Sequence, residues 1–148
     1  MSLKNLLQND WKTAYKAKDK VRATTLSMAR AAILQLEKSG TCETADDASV
    51  LEIITREVKQ RRESVEEFAR GNRQDLIEAT QKEIQILLEY LPKQLTQQEI
   101  VEIISDTAIE VGASSAKDMG KLMSAIVLKT KGKADGKLVS KLVKEYLS

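Results

Sequence analysis

The stretch Gly112-Ala-Ser-Ser-Ala-Lys-Asp-Met-Gly-Lys-Leu-Met-Ser-Ala-Ile-Val-Leu-Lys-Thr-Lys-Gly-Lys-Ala-Asp-Gly-Lys137 reads as helix, basic turn and helix start. Met119, Leu122, Met123, Ile126 and Val127 recur at spacings of three and four, the period of a helix with one apolar side. Ser115 with Asp118 predicts the cap of that helix, and Gly120 and Ser124 would leave room for another backbone. Lys129, Lys131 and Lys133 surround Gly132 in the turn. Asp135 then opens a last helix that buries Leu138, Val139, Leu142, Val143 and Leu147.

Working back toward the amino terminus, Thr96-Gln-Gln-Glu99 is a capping box ahead of Ile100, Ile103, Ile104, Ala108 and Val111, with Gly112 as the stop. Three short helices with matching apolar faces predict a small independent core over residues 93–148. Pro92 ends the preceding helix and marks the domain boundary, a hinge with limited freedom.

Residues 1–92 predict an antiparallel four-helix portion made of two helical hairpins. Ser2 caps a helix to Lys18 with the stripe Leu3, Leu7, Trp11 and Ala14. Asp19 caps a second, with Leu26, Ala29, Ile33 and Leu36 inward and Gly40 as its stop. Thr44 with Asp47 predicts the cap of a third helix, along which Arg61 interrupts the series Leu51, Ile54, Val58, Val65 and Phe68. Gly71-Asn72 reads as stop and restart before Ile77, Thr80, Ile84, Leu87, Leu88 and Leu91. The fold class is therefore all-α, with no hairpin or repeat signal.

Composition narrows the chemistry. The chain of 148 residues has 42% apolar and 31% charged residues, a globular balance with length enough to bury a core. There is no histidine, so Ser-His-Asp and Cys-His catalysis are excluded. The single cysteine, Cys42, reads as a loop residue and can form no internal disulfide or usual zinc set. No cofactor or metal is expected, and the methionines read as core filler. Lys4, Asn5, Gln8, Asn9 and Asp10 interrupt the opening turns, which predicts no secretory leader and a cytoplasmic protein. No membrane span is expected.

Charge is distributed unevenly. From residue 113 onward eight lysines face only Asp118, Asp135 and Glu145, a surplus of five in a chain of net charge +2. Lys117 and Lys121 lie one turn apart, and Lys137, Lys141 and Lys144 follow i, i+4, i+7 spacing away from the buried side. Asp135 as N-cap would leave first-turn amides pointing outward beside Lys133, an arrangement that accepts phosphate oxygens. Lysine faces also serve simply to solvate helices, whereas this surplus follows an acidic helix bearing Glu99, Glu102, Asp106 and Glu110. Tyr146 is the only aromatic residue after position 92, so contacts would go to phosphate and sugar and not to bases. Gly132-Lys133 is no P-loop, because it lacks the strand and the glycine spacing. Arg56, Lys59, Arg61 and Arg62, and likewise Lys16, Lys18, Lys20 and Arg22, read as members of helical ion pairs, and the acids at Asp46-Asp47 and Glu66-Glu67 as solvated.

The run Leu128-Lys-Thr-Lys-Gly-Lys-Ala-Asp-Gly-Lys-Leu-Val139, preceded by Asp118-Met-Gly-Lys121, resembles the signature of the GatB/YqeY family. Ala17-Lys-Asp-Lys-Val-Arg22, Gln60-Arg-Arg-Glu-Ser64, Gly71-Asn-Arg-Gln-Asp75 and Tyr90-Leu-Pro-Lys-Gln-Leu95 resemble its other recurrent blocks. The resemblance implies a carboxy-terminal three-helix tail like that of the B subunit of tRNA-dependent amidotransferase. It implies tRNA or tRNA-like RNA as partner, with Lys121, Lys129, Lys131, Lys133 and Lys137 as contacts; the residue reading adds Lys117 and Lys141. It also carries an association with carbon-nitrogen ligase chemistry using glutamine as amido donor, although the amidotransferase's catalytic body is missing and no catalytic residue is assigned. Where that tail commonly has Asn-Pro, this chain has Asp135-Gly136. The expected function is a non-catalytic tRNA-binding accessory protein, its amino-terminal bundle meeting more RNA or a protein partner. The alternative is a helical protein-protein adaptor without RNA.

Overall fold

A computed structural model describes residues 1–40 and 43–148, which leaves Cys42 and its loop reading outside the described residues. Among the described residues there are seven α-helices and no strand: α1 (Leu3–Lys16), α2 (Lys20–Lys38), α3 (Asp47–Arg70), α4 (Gln74–Leu88), α5 (Gln97–Val111), α6 (Met119–Thr130) and α7 (Gly136–Leu147). The chain divides into two compact units, Met1–Leu91 and Pro92–Ser148.

In the first unit α1 packs on α2, α3 packs on α4, and α2 also meets both α3 and α4. Its core gathers Leu7, Leu26, Val50, Ile54 and Leu87, all fully buried. Ser2 accepts the Asn5 amide at 3.2 Å, and Asp19 accepts that of Arg22 at 3.2 Å, as capping chemistry requires. α1 stops at Lys16 and not at Lys18, because Lys18 takes the left-handed conformation at φ 60 and the Asp19 amide turns back to the Ala14 carbonyl.

The cap of α3 also differs from expectation. Ala45 is buried and donates its amide to Glu37 at 2.8 Å, so Asp46, and not Thr44, caps the helix by accepting the Ser49 amide at 2.8 Å. Asp47 accepts the Leu3 amide at 2.8 Å, so neither acid is merely solvated. After α3 it is Asn72, and not Gly71, that takes positive φ. α4 ends at Leu88, three residues short of Leu91, in a turn that aims the Tyr90 hydroxyl at Asp10 over 2.5 Å.

The interruption at Arg61 is resolved by burial. Its guanidinium donates to the Glu57 carbonyl at 3.1 Å and to the Glu57 carboxylate at 3.2 Å, and lies 3.8 Å from the carboxylate of Glu83 on α4. Met28 of α2 is half-exposed and not core filler; its sulfur accepts from the same guanidinium at 3.4 Å.

In the second unit Ile100, Ile104, Leu122, Ile126, Val139 and Val143 form the centre of a separate core. The capping box is present, Thr96 Oγ1 accepting the Glu99 amide at 3.1 Å and Glu99 accepting that of Thr96 at 3.0 Å. Gly112 takes the left-handed stop at φ 69. Ala116–Asp118 form a short 3₁₀ turn, which delays α6 to Met119; Asp118 accepts the amides of Ser114 at 2.9 Å and Ser115 at 3.2 Å. The room expected at Gly120 has no occupant, since a Cβ there would meet nothing within 4 Å.

Candidate nucleic-acid interface

The basic turn is a built feature. Lys131 at φ −56, ψ 123 followed by Gly132 at φ 76 is the backbone pattern of a type II turn, closed by the Lys133 amide on the Thr130 carbonyl at 2.8 Å. The segment before α5 clamps it: the Leu95 amide donates to the Lys133 carbonyl at 2.8 Å, and the Gln94 side chain donates to the Gly132 carbonyl at 2.9 Å. Lysine side chains on this turn therefore project from a fixed backbone.

All seven lysines singled out in the sequence are exposed. Lys117 lies in the 3₁₀ turn and Lys121 in the first turn of α6, beside Asp118. Lys131 and Lys133 occupy the turn; Lys137 and Lys141 lie on α7 away from its buried row of Val139, Leu142, Val143 and Leu147. Lys129 reaches α5. Because α6 runs to Thr130, Lys129 is helical, and its ammonium pairs with Glu110 at 3.0 Å and donates to the buried Thr107 hydroxyl at 2.9 Å. The acidic α5 thus takes one of the turn's cations.

The start of α7 is also partly satisfied from within. Asp135 accepts the Lys137 amide at 3.2 Å, so one first-turn donor already has an anion. Asp118 is held ionised below its ordinary range by the two amides it accepts, and Glu99 likewise by Thr96. Both acids cap helix ends.

A second feature lies in the first unit, on a row of α1 that shares only Trp11 with the stripe read as core. Lys4, Gln8, Trp11 and Tyr15 follow one another at spacings of three and four along α1. Trp11 is only partly buried; the Arg30 guanidinium lies 4.2 Å over its ring, and the Tyr15 ring stacks on it with centroids 5.5 Å apart at 28°. Tyr15 is 69% exposed. The i, i+4 spacing of Trp11 and Tyr15 was readable in sequence, but Arg30 enters only through the packing of α2. Lys4 pairs with Glu37 at 2.7 Å, and this bond, more than the Ala45 amide, pulls the Glu37 carboxyl below its ordinary range.

The paired reading of the other basic clusters holds in part. Arg61 pairs with Glu57, and Arg22 pairs with Asp19 at 3.7 Å and with Glu89 at 2.7 Å. Lys16, Lys18 and Lys20 carry no ion pair among the described residues. No cluster of metal-binding side chains occurs among the described residues, and no helix there is long and apolar enough to cross a membrane.

Altered inheritance of mitochondria protein 41, mitochondrial, of Pyrenophora tritici-repentis is 33% identical over 147 residues, covering 95% of this chain and 78% of that protein. The protein of the same name from Lachancea thermotolerans is 34% identical over 85 residues, 57% of this chain and 46% of its own length. That of Saccharomyces cerevisiae strain S288c is 31% identical over 87 residues, 59% of this chain and 47% of its own length. The match thus spans less than half of either yeast relative. All three are named mitochondrial proteins, which overturns the cytoplasmic expectation. Interrupted apolar turns at the start of the sequence do not identify a compartment. The Yqey-like protein description matches residues 4–147, and the chain belongs to the Yqey-like protein family.

Proposed function

We propose that this chain is a non-catalytic RNA-binding accessory protein whose second unit is a three-helix tail of the amidotransferase B type and grips the backbone of tRNA or a tRNA-like fold. Its first unit, on this reading, is a pair of antiparallel helical hairpins that meets more of the RNA or a protein. The observation that carries the reading is the clamped turn: Lys131 and Lys133 project from a backbone fixed by Gln94 and Leu95, and Lys137 and Lys141 continue the exposed cationic run onto α7. Rigid cations lose less conformational freedom on meeting phosphates than lysines on a loose loop.

Any link to carbon-nitrogen ligase chemistry would pass through a partner enzyme. The chain supplies a grip on RNA and leaves activation of an acyl group to that partner. An adaptor without RNA is the competing reading.

Filter binding of folded tRNA across a salt series decides between them. About five phosphate contacts give a slope of log affinity against log salt of roughly −4. Replacing Lys131, Lys133 and Lys141 by Glu should flatten the slope by about 3. Absence of tRNA retention at low salt would refute the reading and leave the adaptor.

A further inference from the structure

The first unit conceals a charge division within its overall neutrality. Residues 1–40 hold eight lysines and arginines against Asp10, Asp19 and Glu37, a surplus of five. Into this cationic hairpin is set the Tyr15–Trp11–Arg30 stack, with Lys12 three residues before Tyr15 and Lys16 directly after it. Beside Arg30 lies a groove of about 390 Å³ lined by Gln8, Ser27, Arg30 and Leu34, and bounded by the Lys4–Glu37 pair. The side chains of Gln8 and Ser27 make no hydrogen bond within the protein among the described residues.

We propose that this row is a stacking platform for unpaired RNA bases. The exposed ring of Tyr15 receives one base, Lys12 and Lys16 take the flanking phosphates, and the groove beside Arg30 admits a second base of the strand against Gln8 and Ser27. A stack of aromatic and guanidinium planes accepts any base face, and nearby cations hold the backbone. Tryptophan, tyrosine and arginine also anchor protein interfaces. The surplus of five cations, with Lys12, Lys16, Lys18 and Lys20 lacking ion pairs among the described residues, favours a polyanion. The inference rests on the reading of the ligand as RNA and extends it from phosphate contact to base contact.

Trp11 is the sole tryptophan, so its fluorescence reports this row alone. The full chain is titrated with an unstructured RNA of about ten nucleotides, within the site size of single-strand binders. The single strand is expected to quench Trp11, and a duplex of equal length should not. Tyr15→Ala should weaken single-strand binding about tenfold, the loss of one base stack, with helicity by circular dichroism unchanged. Glu at Lys131, Lys133 and Lys141 should leave the quenching amplitude intact. If folded tRNA is retained on filters while the single strand leaves Trp11 unquenched, or Tyr15→Ala is neutral, the platform falls and the tail reading stands. If neither RNA binds, both fall. Quenching by an amphipathic peptide and not by RNA would mark the row as a protein-docking surface and overturn the proposal.

Discussion

Arg61 offers the sharpest test of how the first unit is held together. Its side chain is 9% exposed, against 14% for Glu57 and 27% for Glu83, so the group is an ion network inside helix packing and not a surface pair. Nε is buried without a hydrogen-bond acceptor, the Glu83 oxygen lying 3.8 Å away, beyond bonding distance. Removing the guanidinium therefore strands two partly buried carboxylates, for which breaking a buried pair costs about 3–5 kcal/mol. The exposure of Glu83 lets water relieve part of that, which puts Arg61→Ala near the lower bound, ~3 kcal/mol. Replacing the whole network by Arg61→Met, Glu57→Gln and Glu83→Gln keeps the volume, removes the unsatisfied Nε and leaves no stranded charge. That triple variant should lie within about 1 kcal/mol of the parent. Urea unfolding followed by Trp11 fluorescence reads the first unit selectively. With a slope of about 1.5 kcal/mol per molar urea, Arg61→Ala moves the midpoint down by roughly 2 M. A shift under about 0.5 M, or a triple variant as weak as Arg61→Ala, would refute the network as the source of the stability.

Other perturbations test separate joints of the structure. Thr96→Ala removes the cap of α5 and should cost about 1 kcal/mol in thermal or urea unfolding of the second unit, followed by circular dichroism. Gly132→Ala forces a side chain into φ 76 and should cost about 1 kcal/mol, with weaker tRNA retention because the turn lysines lose their fixed backbone. Tyr90 has its ionisation pushed far above its ordinary range, first by burial and then by the bond to Asp10, while in the unfolded chain it ionises near pH 10. Its stabilisation is therefore complete below about pH 10 and is lost as pH rises further, an alkaline loss that Tyr90→Phe should abolish in unfolding measured from pH 8 to 11. Glu37, Asp46, Glu99 and Asp118 are shifted the other way by their hydrogen bonds. Their contribution is full above about pH 4.5 and drains as acid protonates them, so stability should fall between about pH 4.5 and 2.

Helix type and number follow from local signals, and those signals are strong here. Period, Ser2, Asp19 and the Thr96–Glu99 box act over three or four residues, within reach of a reading that knows nothing of tertiary contacts. Errors arise where a distant residue competes for the same group. Thr44 loses its role because Glu37, on the preceding helix, takes the Ala45 amide. Lys129 leaves the basic turn because Thr107 and Glu110 reach it from α5. Arg61 looks like a break in an apolar stripe until Glu83 and Met28 arrive from other helices to satisfy it. The Trp11 row escaped for the same reason: an aromatic at core spacing reads as core, and only the Arg30 guanidinium over its ring marks it as a half-open face.

Charge along the chain is arranged in three blocks, and their order constrains what the protein can grip. Residues 1–40 carry a surplus of five positive charges, and residues 113–148 carry five more. The intervening residues hold sixteen acids against eight bases, a deficit of eight. Several acids of that middle block are engaged within the fold: Asp46 and Glu99 cap helices, Glu57 and Glu83 meet Arg61, Glu89 meets Arg22, and Glu110 takes Lys129. Acids spent on capping and pairing are poor neutralisers of lysines elsewhere, since their field is already directed at an amide or a guanidinium and screened beyond about 10 Å. A chain of net charge +2 can therefore present two cationic surfaces whose attraction for a polyanion is far greater than its total suggests. Reversing charges in either cationic block alone should lower the salt slope of RNA binding without abolishing it, whereas a single electrostatic contact surface would lose its slope with one block.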